Sequence, residues 1–127
     1  EFVSFLEMCV ISGQSGRIYL RFNTNGLTTT ERHLELYKRF KNVLIHLSID
    51  GIHSHHDLIR YPSNWQEMEK KLDWWDATSD NVEVTIDTTA SILNIMHIPD
   101  IVKWKLEKNY KKISKYPTNK VLIGIHF

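Results

Sequence analysis

Cysteine is almost missing from this chain: Cys9 is the single thiol in 127 residues. One thiol excludes an internal disulfide, and it excludes a zinc or iron–sulfur centre built mainly from the chain's own thiolates. The scarcity fits a reducing compartment, so a cytoplasmic location is expected. Excess charge of either sign is missing as well. Sixteen Lys and Arg face fifteen Asp and Glu for a net +1, which leaves no electrostatic footprint for nucleic acid or a membrane surface. No apolar run approaches a membrane-spanning length, and the opening residues show no secretory pattern. Linkers, repeats and low-complexity tracts are absent too, so one domain over 1–127 is expected.

What is present is ordinary globular composition, 42% apolar and 24% charged, far from a disordered chain. Phe2, Phe5, Leu6, Cys9 and Val10 recur on one helical face from the first residues. The chain stops at Ile125-His126-Phe127 in a strand-like run. Both ends suggest a fragment of a longer protein. Four short β-branched runs read as strands: Arg17 to Asn23, Asn42 to Ile49, Asn81 to Asp87, and Lys120 to His126. Helical patterns alternate with them. Thr28 to Phe40 opens with a capping-box spacing, Thr28-x-x-Glu31, and Ser63-x-x-Gln66 repeats it ahead of Trp65, Met68, Leu72 and Trp75. A further helix starts near Pro99. Gly13-Gln14-Ser15-Gly16 precedes a strand, so it reads as a helix stop and turn rather than a phosphate loop.

Strands separated by helices imply crossovers and a parallel sheet. The strand faces sharpen this. Val43, Ile45, Leu47 and Ile49 oppose Leu44, His46, Ser48 and Asp50; Ile18, Leu20 and Phe22 oppose Tyr19, Arg21 and Asn23; Val82, Val84 and Ile86 oppose Glu83, Thr85 and Asp87. A doubly wound sheet is covered by helices on both faces and is apolar throughout. One apolar and one polar face instead suit a curled sheet, a partial TIM-like β/α barrel of about four strands whose interior holds a polar ligand. Three strand ends then share one rim, where such barrels keep their sites: Thr24-Asn25-Gly26, Ser48-Ile49-Asp50-Gly51, and Asp87-Thr88-Thr89. Turn chemistry accounts for each alone; together they mark a ligand site.

The ordered pair Thr24-Asn25-Gly26 and Ser48-Ile49-Asp50-Gly51, followed by Asp57 and Arg60, resembles radical S-adenosylmethionine enzymes. Asp57-Leu58-Ile59-Arg60-Tyr61-Pro62 with Trp65 is similar to the branch carrying SPASM or twitch domains. The resemblance implies a (β/α)6 partial barrel holding a [4Fe-4S] cluster and S-adenosylmethionine. It also implies a parent oxidoreductase that modifies a peptide or protein by radical chemistry. By that resemblance Asn25, Ser48, Asp50, Arg60, Thr88 and Asn94 would bind the cofactor. Ser48 and Asp50 would lie near its ribose and methionine portions, Arg60 at its carboxylate, and Leu122 to His126 near adenine. The family's CxxxCxxC and Gly-Gly-Glu-Pro segments do not occur here. The chain alone is therefore expected to be inactive and to retain neither group.

Two other readings stand beside this one. A truncated barrel could serve as a non-catalytic small-molecule binding module. His53, His55 and His56, with His46 or His126, could instead serve a metal-dependent hydrolase, although a solvated loop with incidental histidines explains them as well. Cys9 reads as a packed small hydrophobe. Trp74, Trp75 and Trp104 read as helix-contact residues, and Lys103, Lys105, Lys108, Lys111 and Lys112 as a solvated basic face. If Arg17 to Asn23 is a sheet edge, copies of the chain are expected to associate through it.

Overall fold

Periods of 3.6 and 2 alternate along the chain, and the backbone follows them. A computed structural model describes residues 1–113, so the expected strand at 120–126 and His126 lie outside the described residues. Helix α1 (Phe2–Ile11) stops where Gly13 takes a positive φ, and a short 3₁₀ turn (Ser15–Arg17) leads into strand β1 (Tyr19–Thr24). Helix α2 (Glu31–Tyr37), strand β2 (Asn42–Ser48), helix α3 (His53–Ile59) and helix α4 (Trp65–Asp76) follow. Strand β3 (Val82–Asp87) and helix α5 (Ile98–Lys108) complete the described part.

The three strands form one parallel sheet in the order β1-β2-β3, with Arg21 opposite Leu44, Asn23 opposite His46 and His46 opposite Thr85. Neighbours in sequence are neighbours in space. The molecule is thus mixed α/β with a three-stranded parallel sheet and five α-helices among the described residues.

Alternation decides which sheet face is buried. Val43, Ile45, Leu47, Val82 and Val84 share one core with Leu6 of α1, Leu34 and Tyr37 of α2, and Met68, Leu72 and Trp75 of α4. Ile101 and Trp104 of α5 join it, and Trp104 meets Trp65 edge-on with ring centroids 5.0 Å apart. Burying each of these large side chains stabilises the fold by about 1.5–3 kcal/mol. On the other face Arg21 and Asn23 are exposed, Thr85 and Asp87 are half-buried, and His46 is buried.

Several expected boundaries move for local reasons. Arg17 and Ile18 lie outside β1, because the 3₁₀ turn claims Arg17 and its carbonyl-bonded neighbour. The α2 cap is Thr30, whose N–H donates to His33 Nδ1 at 3.2 Å, and not Thr28. Glu31 is used elsewhere, accepting the Trp74 indole N–H at 2.6 Å. Asn64, not Ser63, caps α4 by accepting the Glu67 N–H at 2.9 Å. The expected solvated lysine face is only partly so: Lys105 is half-buried, and Lys108 pairs with Glu69 at 2.8 Å.

Candidate functional site

The carboxyl ends of the strands are built from turns that hold themselves. After β1, Thr24 Oγ1 accepts the Gly26 N–H and Asn25 Oδ1 accepts the Leu27 N–H, both at 3.1 Å. Gly26 has φ +78°, and a Cβ there would stand 2.7 Å from Leu47 Cδ2, so the loop lies directly on the core. Its carbonyl accepts the Trp75 indole N–H at 3.2 Å.

After β2, Asp50 ties three segments together. Its Oδ2 accepts from Arg60 Nη2 and its Oδ1 accepts the Thr89 N–H at 2.9 Å. Gly51 allows α3 to approach closely, since a Cβ there would be 2.9 Å from the backbone of His55 and His56. After β3, Thr88 Oγ1 donates to the Ile49 carbonyl at 2.7 Å. Asn94, fully buried, donates to the Asp50 and Thr89 carbonyls at 2.9 and 2.8 Å and accepts the Ser91 N–H at 2.7 Å. Every polar atom of that amide is matched.

The histidine-rich stretch expected as a loop is helix α3. It turns one imidazole inward: His56 is 2% exposed, lies 5.4 Å from the Trp65 ring, and has its Nε2 2.9 Å from Ser63 Oγ. Burial holds this imidazole below the ordinary histidine pKa, with Asp57 pulling weakly the other way. It is neutral at pH 7. The α3–α4 turn is pinned by Asp57, whose Oδ1 accepts the Trp65 N–H at 2.6 Å.

Between these segments lies a cleft of about 520 Å³, lined by Asn25, Ser48, His56, Arg60, Ser63 and Glu67 among others. Of the six expected cofactor residues, Asn25, Ser48 and Arg60 line it. Asp50 stands behind Arg60 as its ion-pair partner. Thr88 and Asn94 do not line it; they stitch the β3 end to the β2 end. His56 is a sequence candidate only as a metal ligand of the hydrolase reading, and Ser63 and Glu67 are not ligand candidates from the sequence at all. The His56–Ser63 pair spans seven residues across a turn with a cis Tyr61–Pro62 peptide, and no spacing motif marks it.

The donor set distinguishes the two groups implied by the family resemblance. Arg60 Nε is buried without a partner, and an orphan guanidinium donor beside a cleft suits an anionic ligand group such as a carboxylate. An iron–sulfur cluster does not fit this chain's residues: Cys9 packs half-buried against the core on α1. Among the described residues no three His, Cys, Asp or Glu side chains are grouped as metal ligands. His46 and His56 are engaged separately, one with Arg21 and Asp87, the other with Ser63. No described helix is long and apolar enough to cross a membrane. No family model, curated protein or solved structure matches the chain.

Proposed function

We propose that this chain is a wall of a radical S-adenosylmethionine barrel and that its cleft takes the cofactor's polar end. The observation that carries the proposal is the gathering of Asn25, Ser48 and Arg60 around one cleft, with Arg60 held by Asp50 and its buried Nε without a partner. A guanidinium positioned by a carboxylate behind it can offer its remaining donors to a ligand carboxylate. Asn25 and Ser48 add uncharged donors and acceptors of the kind that bind hydroxyl and amino groups. The sheet supports the barrel: its parallel strands run in sequential order, with one apolar face toward the helices and one polar face.

When bound, S-adenosylmethionine would supply a sulfonium carbon–sulfur bond, which this family cleaves with one electron from its iron–sulfur cluster. No step of that cleavage is assigned to this chain, because cluster thiolates must come from outside its residues. The parent activity proposed is radical modification of a peptide or protein side chain. Finding a reading frame that encodes CxxxCxxC and Gly-Gly-Glu-Pro ahead of Glu1 would be the simplest support for this reading.

Titrating S-adenosylmethionine into the ¹⁵N-labelled chain tests the cleft. Binding too weak to be retained through purification is expected, with shifts at Asn25, Ser48 and Arg60 that saturate only at high cofactor concentration and affinity falling about tenfold in Arg60→Met, the loss of one charge-assisted contact. Saturation without involvement of these three residues rejects the cofactor site. A second reading, a binding module without turnover, is favoured by the lack of cluster ligands; it predicts tighter binding of an unrelated small molecule in the same cleft.

A further inference from the structure

The polar face of the sheet carries a chain of side chains that the cleft does not use. Arg21, midway along β1, donates its Nε–H to His46 Nε2 at 2.9 Å. That bond sets the imidazole tautomer: Nε2 is the acceptor, so the ring proton sits on Nδ1. Asp87 Oδ2 lies 2.9 Å from Nδ1 and takes that proton's hydrogen bond. Thr85 Oγ1 stands 3.0 Å from the same nitrogen and donates to Asp87 Oδ1 at 3.3 Å. Three strands thus contribute to one line, Arg21 from β1, His46 from β2, and Thr85 with Asp87 from β3.

The charges along this line are unevenly matched. Asp87 is engaged by His46 and Thr85 and feels the field of half-buried Lys105. Glu83, on the same face, accepts from the Asn42 amide at 3.3 Å. Arg21 bonds a neutral ring through Nε alone. Among the described residues neither of its Nη nitrogens has a hydrogen-bond or ion-pair partner, although the residue is exposed. A freely solvated surface arginine samples many rotamers. This one is anchored at Nε by a buried imidazole that is itself held by a carboxylate, so the plane of its open fork is fixed.

We propose that Arg21 is the recognition group of an oxyanion subsite on the polar face of the sheet, with His46 as its positioning residue. The ligand carries a carboxylate or phosphate group, which a planar guanidinium meets with two parallel N–H bonds. Tyr19 and Asn23 flank Arg21 on the same face, exposed, and offer a ring and an amide to the rest of that ligand. Asp87 acts one step back: its bond to Nδ1 keeps Nε2 free to accept from Arg21. The subsite shares no residue with the lining of the cleft, so it stands independently of the cofactor reading.

NMR of the ¹⁵N-labelled 127-residue chain tests it, following the Arg21 Nε–H and the His46 ring nitrogens. Sodium succinate and sodium phosphate are titrated separately, with sodium chloride holding ionic strength constant. The expected result is a saturable shift of Arg21 Nε–H and of the His46 ring nitrogens; in R21Q, whose exposed position leaves the circular dichroism unchanged, the ligand-dependent shift at the His46 ring nitrogens is lost. H46F should weaken the response at least about threefold by freeing the guanidinium plane. Saturation by succinate identifies a carboxylate ligand, and saturation by phosphate alone identifies a phosphate ester. A shift that chloride reproduces, one that survives in R21Q, or none at all overturns the subsite. Unweakened binding in H46F overturns the positioning role. S-Adenosylmethionine shifts at Arg60 are read separately, so either proposal can fail alone.

Discussion

Arg60 and Asp50 form an ion pair that folds the end of α3 back onto the end of β2. The carboxylate is the better buried partner and also accepts the Thr89 N–H, so one side chain joins all three segments of the rim. Removing it strands a guanidinium and a backbone donor together. We expect Asp50→Ala to destabilise the fold by about 2–4 kcal/mol and Arg60→Met by about 1–2 kcal/mol, since the latter leaves a carboxylate that is still hydrogen-bonded. A double-mutant cycle in urea unfolding should give a coupling above about 1 kcal/mol. Additive effects would show that the pair is incidental.

Gly51→Ala should damage the cleft more than the core. The added Cβ would meet the backbone of His55 and His56 at 2.9 Å, and backbone cannot swing aside as a side chain can. Helix α3 must shift, taking His56 and Arg60 with it. A loss of about 1–3 kcal/mol is expected, with chemical-shift changes concentrated at residues 52–63. Changes centred instead on Val43 and Val82 would contradict this account.

Acid should weaken the protein in two stages. His56 has a folded-state pKa below its unfolded value because burial disfavours the cation. The unfolded chain therefore takes up that proton first, and stability falls as pH drops below about 6.5. Asp76 is different: burial raises its pKa, but the backbone N–H groups of Lys112, Lys111 and Ile113 outweigh that and lower it. Its contribution is full above the ordinary aspartate value of about 3.9 and is lost only as pH falls through the lower folded value. Urea midpoints measured against pH should flatten in the upper stage for His56→Gln and in the lower stage for Asp76→Asn. An unchanged profile in either variant rejects that assignment.

Within the described sheet β1 pairs only with β2, so one side of β1 carries no strand partner among the described residues. Such an edge is a template for further pairing. Sedimentation equilibrium should show mass rising with concentration, and amide exchange of Tyr19–Thr24 should slow in parallel. A constant monomer mass with rapidly exchanging edge amides would count against association there.

Strands separated by helices make the parallel sheet legible, and the alternation of Val43, Ile45 and Leu47 with Leu44, His46 and Ser48 makes its unlike faces legible, because period-two patterning is written residue by residue. Helix starts were less legible. Thr28, Thr29 and Thr30 are chemically equivalent candidates, and the choice of Thr30 rests on distant partners: Glu31 is drawn to Trp74, and the Thr29 carbonyl accepts Lys71 Nζ at 2.6 Å. The same competition moved the α4 cap, since Ser63 meets His56 and leaves Asn64 to cap. At the rim, the sequence marks Asp50 and Arg60 as cofactor contacts, while their pairing with each other across ten residues is visible only in the structure. The satisfied roles of Thr88 and Asn94 depend on carbonyls from another strand end, which no local pattern encodes. His56 was visible only as one of several histidines; helical phase, set by the close approach at Gly51, selects it for burial.

The bond from the Trp75 indole to the Gly26 carbonyl couples parts of the molecule that are 49 residues apart. With the glycine already against Leu47 and Met68, the Asn25 loop has no slack of its own. Any ligand that pushes this loop must also rotate or slide α4, and the buried Trp75 indole between them would register the movement in its emission. Loop and helix at this corner are one mechanical part.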